Sequence, residues 1–175
     1  MLQVYAPAQE SAGTKCIKIS TISTSSQITK VLFQTANAYL VNEDQHRHKI
    51  KAVFDSCSNK SYIRTDACNK VKLLSHEEVL DIKGYNGKSE GCKTYKVRHA
   101  ILESITRPNT RRSVNLIETD RICASIGREA VPVDFLESQY LRGLDLAEDY
   151  SSSSDDEIDV LIGLDFYWDL VTGRT

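Results

Sequence analysis

The sequence predicts an all-β domain with one or two short helices. Apolar and polar residues alternate over several segments, which is the pattern of strands that are buried on one face. The Asn-Gly pair at residues 86–87 is the strongest short signal for a hairpin turn, because a two-residue turn of this kind requires positive φ at both positions. Near the C-terminus, Val160-Leu161-Ile162 is a continuous apolar run, as expected of a strand buried on both faces.

Length and charge narrow the class of protein. The chain has 175 residues, which is the size of one domain. Its formal net charge of −2 gives no reason to expect binding to nucleic acid or to an acidic membrane surface. No apolar run approaches the ~18 residues of a membrane span. We therefore expect a soluble, intracellular protein of the cytoplasm that binds neither nucleic acid nor membrane.

Cysteine and histidine spacing bears on redox state and metal binding. The five cysteines form no CxxC pair, which favours reduced thiols over a disulfide framework. His46 and His48 fall on the same face of a strand, but no second pair of ligands lies nearby in sequence, and structural zinc sites usually need two such pairs. We expect no metal and no cofactor.

Composition divides the chain into a tail and a domain. Residues 1–30 are rich in serine and threonine and poor in large apolar groups, which predicts a disordered linker. The domain then occupies residues 31–173. Within it, residues 145–157 are acidic and serine-rich and predict a mobile loop.

The first two predicted strands form a hairpin that ends in a carboxylate. Residues 31–41 are β-prone, and Asn42-Glu43-Asp44 predicts a turn. In the next strand Ile50, Ala52 and Phe54 point one way, and the alternate positions Lys51, Val53 and Asp55 point the other. Asp55 therefore lies at the far end of the hairpin, followed by the small residues Ser-Cys-Ser-Asn.

The later elements follow from periodicity in the same way. Thr65 is the expected N-cap of a short helix, and a second helix is expected after Gly163. A half-buried strand is expected from Cys92 onward. The predicted apolar faces are Ala67, Val71 and Leu74 for the first helix, Tyr95, Val97, His99 and Ile101 for the strand, and Leu164, Trp168 and Val171 for the second helix.

Two segments carry a resemblance to a known family. Val53-Phe-Asp-Ser-Cys-Ser58 resembles the active-site turn of retropepsin-like aspartic peptidases, and Ile158-Asp-Val-Leu-Ile-Gly-Leu-Asp-Phe-Tyr-Trp168 resembles their second signature. The pair is most similar to the peptidase domain of Pao/BEL-type retrotransposon polyproteins, over residues 31–173. In one respect the chain differs, because Cys57 stands where the family has glycine.

The resemblance implies a closed acid-protease barrel with a flap hairpin. It implies an aspartic endopeptidase of retroelement origin in which Asp55 from each subunit of a homodimer hydrolyses a peptide or polyprotein substrate. Ser56 would brace the turn across the dimer. A glycine-rich flap would cover the substrate through Gly84, Tyr85, Asn86 and Gly87; without the resemblance, those residues predict a plain surface hairpin.

Cys57 leaves two alternatives open. A cysteine at the glycine position is compatible with an inactive copy of the fold that serves as a dimerisation or peptide-binding module. Alternatively Cys57 is itself a thiol nucleophile, which requires a base that the sequence does not place at His76 or His99. In many retropepsins an arginine after the second-signature glycine pairs with an acid beyond the aspartate turn. Here Leu164 and Asn59 occupy those two positions.

Overall fold

The computed structural model of the protein describes residues 33–84, 89–107, 109–123, 126–128, 137, 139, 143, 146–148 and 154–171. These residues form nine strands and two short helices, which confirms the all-β class. The strands are β1 (Thr35–Val41), β2 (Arg47–Phe54), β3 (Tyr62–Arg64), β4 (Ser75–Lys83), β5 (Ser89–Ser104), β6 (Arg111–Thr119), β7 (Ile126–Arg128), β8 (Ser154–Asp156) and β9 (Val160–Ile162), and the helices are α1 (Thr65–Val71) and α2 (Leu164–Leu170). The predicted linker over residues 1–30 lies outside the described residues.

Seven of the strands form one mixed sheet in the order β1-β2-β9-β3-β6-β5-β4. Strand β1 also pairs with β5, so the pairings pass from β1 through β2, β9, β3, β6 and β5 and return to β1. Strand β4 pairs with β5 at the edge of the sheet. A separate antiparallel pair joins β7 to β8.

The predicted hairpin before Asp55 is confirmed. Strands β1 and β2 are antiparallel, with Thr35 opposite Val53 and Val41 opposite Arg47. The Asn42 side chain closes the connection, because its Oδ1 accepts the His46 N–H at 2.9 Å while its Nδ2 donates to the Val71 carbonyl at 2.9 Å. The hairpin therefore carries its own polar anchor to the end of α1.

Strand β9 lies between the two strands that flank the Asp55 turn. It runs parallel to β2 and antiparallel to β3. Asp159 fixes its start, because its carboxylate accepts the Lys51 N–H at 3.1 Å and bonds the Arg64 guanidinium at 3.1 Å. Burial alone would lower the pKa of Arg64, but its hydrogen bonds to Glu157 and Asp159 raise it, so its charge persists at any ordinary pH. Val160 and Ile162 are fully buried, but Leu161 between them is half-buried, so the predicted burial on both faces is complete on one face only.

The core draws side chains from most of these strands and from α1. Its main members are apolar side chains from β1, β2, β3, α1, β5, β6 and β9, together with Leu73 of the α1–β4 connection, namely Leu40, Ile50, Ala52, Ile63, Ala67, Cys68, Val71, Leu73, Ala100, Leu102, Val114, Leu116, Val160 and Ile162. The predicted face of β5 is wrong beyond Val97. Ala100 and Leu102 enter the core, whereas His99 is exposed and bonds Asn115 and Ser113.

Helix α1 begins at Thr65, one residue earlier than expected if Thr65 were the N-cap. Arg64 is the N-cap and makes no side-chain cap bond, while the Thr65 hydroxyl donates to Asp120 at 3.1 Å. The helix ends at Val71, because Lys72 adopts the left-handed conformation (φ 56°). Ala67 and Val71 are buried as predicted, but Leu74 lies beyond this break and is 62% exposed.

Helix α2 buries a different side from the predicted one. Tyr167 is buried, and Phe166 and Leu170 pack against the core. Leu164 and Trp168, which share the predicted apolar face, are 40% and 67% exposed. The spacing was right for a helix but did not reveal which face meets the core.

The acidic segment 145–157 differs in two places from the expected loop. Glu148 is buried and lies 3.7 Å from the Lys51 ammonium, and Ser154–Asp156 forms strand β8. The neighbouring Ala147 carbonyl accepts the Asn37 N–H of β1 at 2.9 Å. Part of this segment is therefore attached to the β1–β2 hairpin.

No helix among the described residues is long and apolar enough to cross a membrane.

Candidate active site

Asp55 follows directly on β2 and is half-buried. The strand before it is secured by the core, since Ile50 and Ala52 are buried and the Phe54 ring meets Tyr167 edge to face at 6.1 Å. The Asp55 N–H donates to the Ile162 carbonyl at 2.9 Å. This bond continues the β2–β9 ladder by one residue and fixes the backbone from which the carboxylate projects.

The turn after Asp55 closes on the carboxylate itself. Asp55 Oδ1 accepts the Cys57 N–H at 2.9 Å, and the Asp55 carbonyl accepts the Ser58 N–H at 3.2 Å. This is the local bonding for which aspartate is favoured in turns. Ser56 and Cys57 are both exposed, so the tip of the turn is open to a second molecule.

Cys57, which stands where the resembling family has glycine, does not need the conformational freedom of glycine. Positive φ occurs among the described non-glycine residues at Gln45, Lys72 and Asn109, and Cys57 is not one of them. The cysteine therefore does not adopt the left-handed conformation that favours glycine, and its N–H still points at the carboxylate. Within one chain the replacement is compatible with the turn; its effect would arise where a second turn approaches the cysteine side chain.

Gly163 lies directly against the exit of the Asp55 turn. A Cβ at this position would stand 2.4 Å from the Lys60 carbonyl oxygen and 2.8 Å from the Ser58 oxygen. Its backbone angles (φ −91°, ψ −176°) are accessible to any residue. The glycine is therefore required by the close approach of two backbones, and not by its conformational freedom.

Ser61 and Asp165 bridge the turn to α2. Asp165 Oδ1 accepts the Ser61 hydroxyl at 2.6 Å, and Asp165 Oδ2 accepts the Ser61 N–H at 3.1 Å. Ser61 Oγ in turn accepts the Gly163 N–H at 2.9 Å. The sequence interpretation missed this bridge. It considered Asn59 and Leu164, which lie two residues and one residue away from the bridging pair, and no local pattern pairs residues 104 positions apart.

Tyr62, the residue after Ser61, is half-buried at the start of β3. Burial raises its pKa, and the neighbouring Tyr95 and Asp165 raise it further. Tyr95 belongs to β5 and Asp165 to α2. The raised pKa keeps the Tyr62 phenol neutral over the pH range in which carboxylates titrate.

The predicted flap residues are only partly described. Gly84 follows β4 and is exposed. Tyr85, Asn86 and Gly87 lie outside the described residues, so the position of the hairpin tip relative to Asp55 stays a prediction. The hairpin itself is present, because β4 pairs with β5 from Ser75 opposite Arg98 to Lys83 opposite Ser89.

The other reactive side chains have separate partners. His76 bonds Glu78 at 2.8 Å, and His99 lies between Ser113 and Asn115 at 3.1 Å from each. Cys68 is buried, and burial raises the pKa of its thiol to about 11, which keeps it protonated and unreactive. Among the described residues no group of three or more histidines, cysteines and acids could hold a metal ion.

Comparison of the chain with protein-family models, with curated proteins and with solved structures gives no match.

Proposed function

We propose that this protein is an aspartic endopeptidase of retropepsin type, in which two copies of Asp55 from a homodimer form the catalytic pair. The observation that carries the proposal is the arrangement around Asp55. Asp55 follows directly on β2, and its half-buried carboxylate accepts the Cys57 N–H. The Asp55 backbone N–H bonds to β9, the strand that lies between β2 and β3. The two segments that resemble the family's signatures are thus in direct contact.

The strand pairings support the finer fold assignment, a closed acid-protease barrel. Six strands form a cycle of pairings, β1-β2-β9-β3-β6-β5, which returns to β1. Closure of this kind removes free sheet edges from the body of the domain. The remaining strand, β4, extends outward from β5 as one arm of the proposed flap hairpin.

Two carboxylates are needed for the chemistry. When two carboxylates lie about 3 Å apart they cannot both ionise, so the pair shares one proton. The ionised member takes a proton from water, and the protonated member donates a hydrogen bond to the carbonyl oxygen of the scissile peptide. The Cys57 N–H, which already bonds Asp55 Oδ1, would hold one oxygen in place while the other faces the water.

A homodimer supplies the second carboxylate, because the chain resembles the active-site turn only at Asp55. The surface beside the turn favours association. Leu164 and Trp168 expose apolar side chains on α2, and the Leu164 N–H bonds the Ser58 carbonyl within the turn at 2.7 Å. Pairing of two such surfaces around a two-fold axis would bring the two Asp55 turns together.

The lack of backbone strain at Cys57 favours an active enzyme over an inactive module. If the cysteine forced the turn into another shape, its N–H would be turned away from the carboxylate, yet the bond is present at 2.9 Å. The thiol hypothesis is less well supported. Its two candidate bases, His76 and His99, bond Glu78 and the Ser113–Asn115 pair instead.

Cleavage of a mixed peptide library at acidic pH tests the proposal. We expect cleavage that pepstatin inhibits and that Asp55→Asn abolishes, because an amide neither accepts a proton from water nor shares one with its partner. Asp66→Asn is the matched control: Asp66 is an exposed aspartate in the first turn of α1, and its substitution should leave cleavage unchanged. A folded, dimeric protein that binds peptides without cutting them would instead identify an inactive module. Cleavage that survives Asp55→Asn would contradict both hypotheses.

A further inference from the structure

Ser61 lies at the centre of the contacts that hold the Asp55 turn in place. Its side chain is completely buried, and each of its polar groups has a partner. The hydroxyl donates to Asp165 Oδ1 at 2.6 Å, the N–H donates to Asp165 Oδ2 at 3.1 Å, and the carbonyl accepts the Ile117 N–H at 2.9 Å. The hydroxyl oxygen also accepts the Gly163 N–H at 2.9 Å.

The direction of the Ser61 hydroxyl proton is fixed by this environment. An ionised carboxylate only accepts, so the proton must lie toward Asp165, which leaves the oxygen lone pairs for Gly163. Hydrogen bonds to an ionised group are shorter and stronger than those between neutral groups, in accord with the 2.6 Å distance. Ser61 therefore holds the two residues on either side of Leu164.

Leu164 transmits this constraint to the turn. Because Gly163 and Asp165 are both hydrogen-bonded to Ser61, the Leu164 N–H points at the Ser58 carbonyl and donates to it at 2.7 Å. The Ser58 N–H bonds the Asp55 carbonyl at 3.2 Å. A continuous series of hydrogen bonds thus connects the buried hydroxyl with the backbone of Asp55.

We infer that Ser61 and Asp165 are positioning residues for the Asp55 carboxylate. They act through Leu164 and Ser58 and do not contact substrate. The inference rests on the proposed peptidase function for its effect on rate, and on the geometry alone for its effect on the turn. Small misplacements of a catalytic group lower the rate steeply, so loss of this bridge should lower kcat and leave substrate binding largely intact.

The test compares Ser61→Ala with Asn42→Ala. Asn42 is a matched control, because its buried side chain also makes two hydrogen bonds, to the Val71 carbonyl and from the His46 N–H, but at the opposite end of the β1–β2 hairpin. Both variants should lose stability. At a temperature where both are folded, we expect kcat to fall at least about tenfold in Ser61→Ala, with KM changed less than about threefold. In Asn42→Ala both constants should stay within about twofold of the wild type.

Two further variants separate positioning from folding. Ser61→Thr keeps a hydroxyl on the same carbon and should recover most of the lost kcat. Asp165→Asn keeps the side-chain shape but presents an N–H₂ group to one of the two Ser61 donors, so its kcat should fall between those of Ser61→Ala and the wild type. Asp165 is exposed on its other side, so this variant is expected to fold even where Ser61→Ala does not. A normal kcat in Asp165→Asn, or an equal loss in Asn42→Ala, would overturn the inference while leaving the proposed function intact.

Amide hydrogen exchange tests the inference independently of the proposed function. It can be measured even if the wild-type chain cuts no peptide, a result that would contradict the proposed function but not the positioning role. The bridge predicts that the amides of Asp55, Ser58 and Leu164 exchange at least about tenfold faster in Ser61→Ala, because their partners are no longer held. In Asn42→Ala these three amides should exchange at the wild-type rate. Unchanged exchange of these amides in Ser61→Ala would overturn the positioning role.

Discussion

The backbone of the Asp55 turn is held by residues far along the chain, whereas strand β4 of the neighbouring hairpin is held by the strand that follows it. Ser61 bonds Asp165 across 104 positions, and Gly163 packs against the exit of the turn. Strand β4 lies at the edge of the sheet and pairs with β5, and every residue of β4 is exposed or half-exposed. Segments with few buried contacts open at low free energy. The Asp55 turn is thus fixed by long-range contacts, whereas β4 has few buried contacts and can open; the proposed peptidase with a flap would need both.

Gly163→Ala should have the largest effect on stability, because it acts on the fixed Asp55 turn. The new methyl group would stand 2.4 Å from the Lys60 carbonyl oxygen, and a backbone atom cannot move aside as a side chain can. We expect the free energy of unfolding in a urea titration to fall by about 3 kcal/mol or more, at the upper end of what overpacking costs.

Gly91→Ala is the matched control in the hairpin. Gly91 has φ +79°, and among the described residues no atom beyond its chain neighbours lies within 4 Å of the position that a Cβ would take. Alanine there should therefore meet only the conformational penalty of about 1–2 kcal/mol. A loss of unfolding free energy in Gly91→Ala that equals or exceeds the loss in Gly163→Ala would contradict the difference between the Asp55 turn and the hairpin.

Cys57→Gly should raise activity at a small cost in stability. Within one chain Cys57 is unstrained, so its replacement relieves only crowding between two turns, and we expect kcat to rise by up to about tenfold. Glycine should lower the free energy of unfolding by about 0.5–1 kcal/mol through the entropy of the unfolded chain. Cys123→Gly makes the same change at an exposed cysteine outside the proposed flap hairpin and should leave kcat unaltered. Absence of hydrolysis in both wild type and Cys57→Gly would favour the inactive module.

The pKa of Tyr62, which lies just after the turn, responds to Tyr95 of the hairpin strand β5. Its raised pKa means that the folded state retains the phenol proton to higher pH than the unfolded chain does. Tyr62 therefore leaves the free energy of unfolding unchanged below about pH 10 and lowers it as the pH rises further. Tyr95→Phe should bring the pKa of Tyr62 closer to its ordinary value in an NMR titration, whereas Tyr39→Phe should not. A pKa that does not respond to Tyr95→Phe would mean that the base of the hairpin does not approach the turn.

The sequence predicted the parts of this site that local patterns encode. Alternation placed Asp55 at the end of β2, and the apolar run before Gly163 predicted β9. The bridge between Ser61 and Asp165 was missed, because it depends on which distant segments meet. Helical spacing grouped Leu164 with Trp168 correctly, but periodicity identifies residues that share a side and not the side that faces the core. The break at Lys72, which exposes Leu74, likewise depends on a left-handed residue that lysine does not signal.

Mixed dimers test the central claim, that Asp55 residues from two chains form one catalytic centre. Wild-type and Asp55→Asn chains are combined in equal amounts at constant total concentration and allowed to exchange subunits, and peptide cleavage is measured. If both carboxylates are required, only pairs of wild-type chains cut, and the activity should fall to roughly a quarter of that of the undiluted wild type. Dilution with Asp66→Asn chains, which keep Asp55, should leave the activity unchanged. Activity that falls only to about half with Asp55→Asn would show that each chain works alone and would contradict the shared pair.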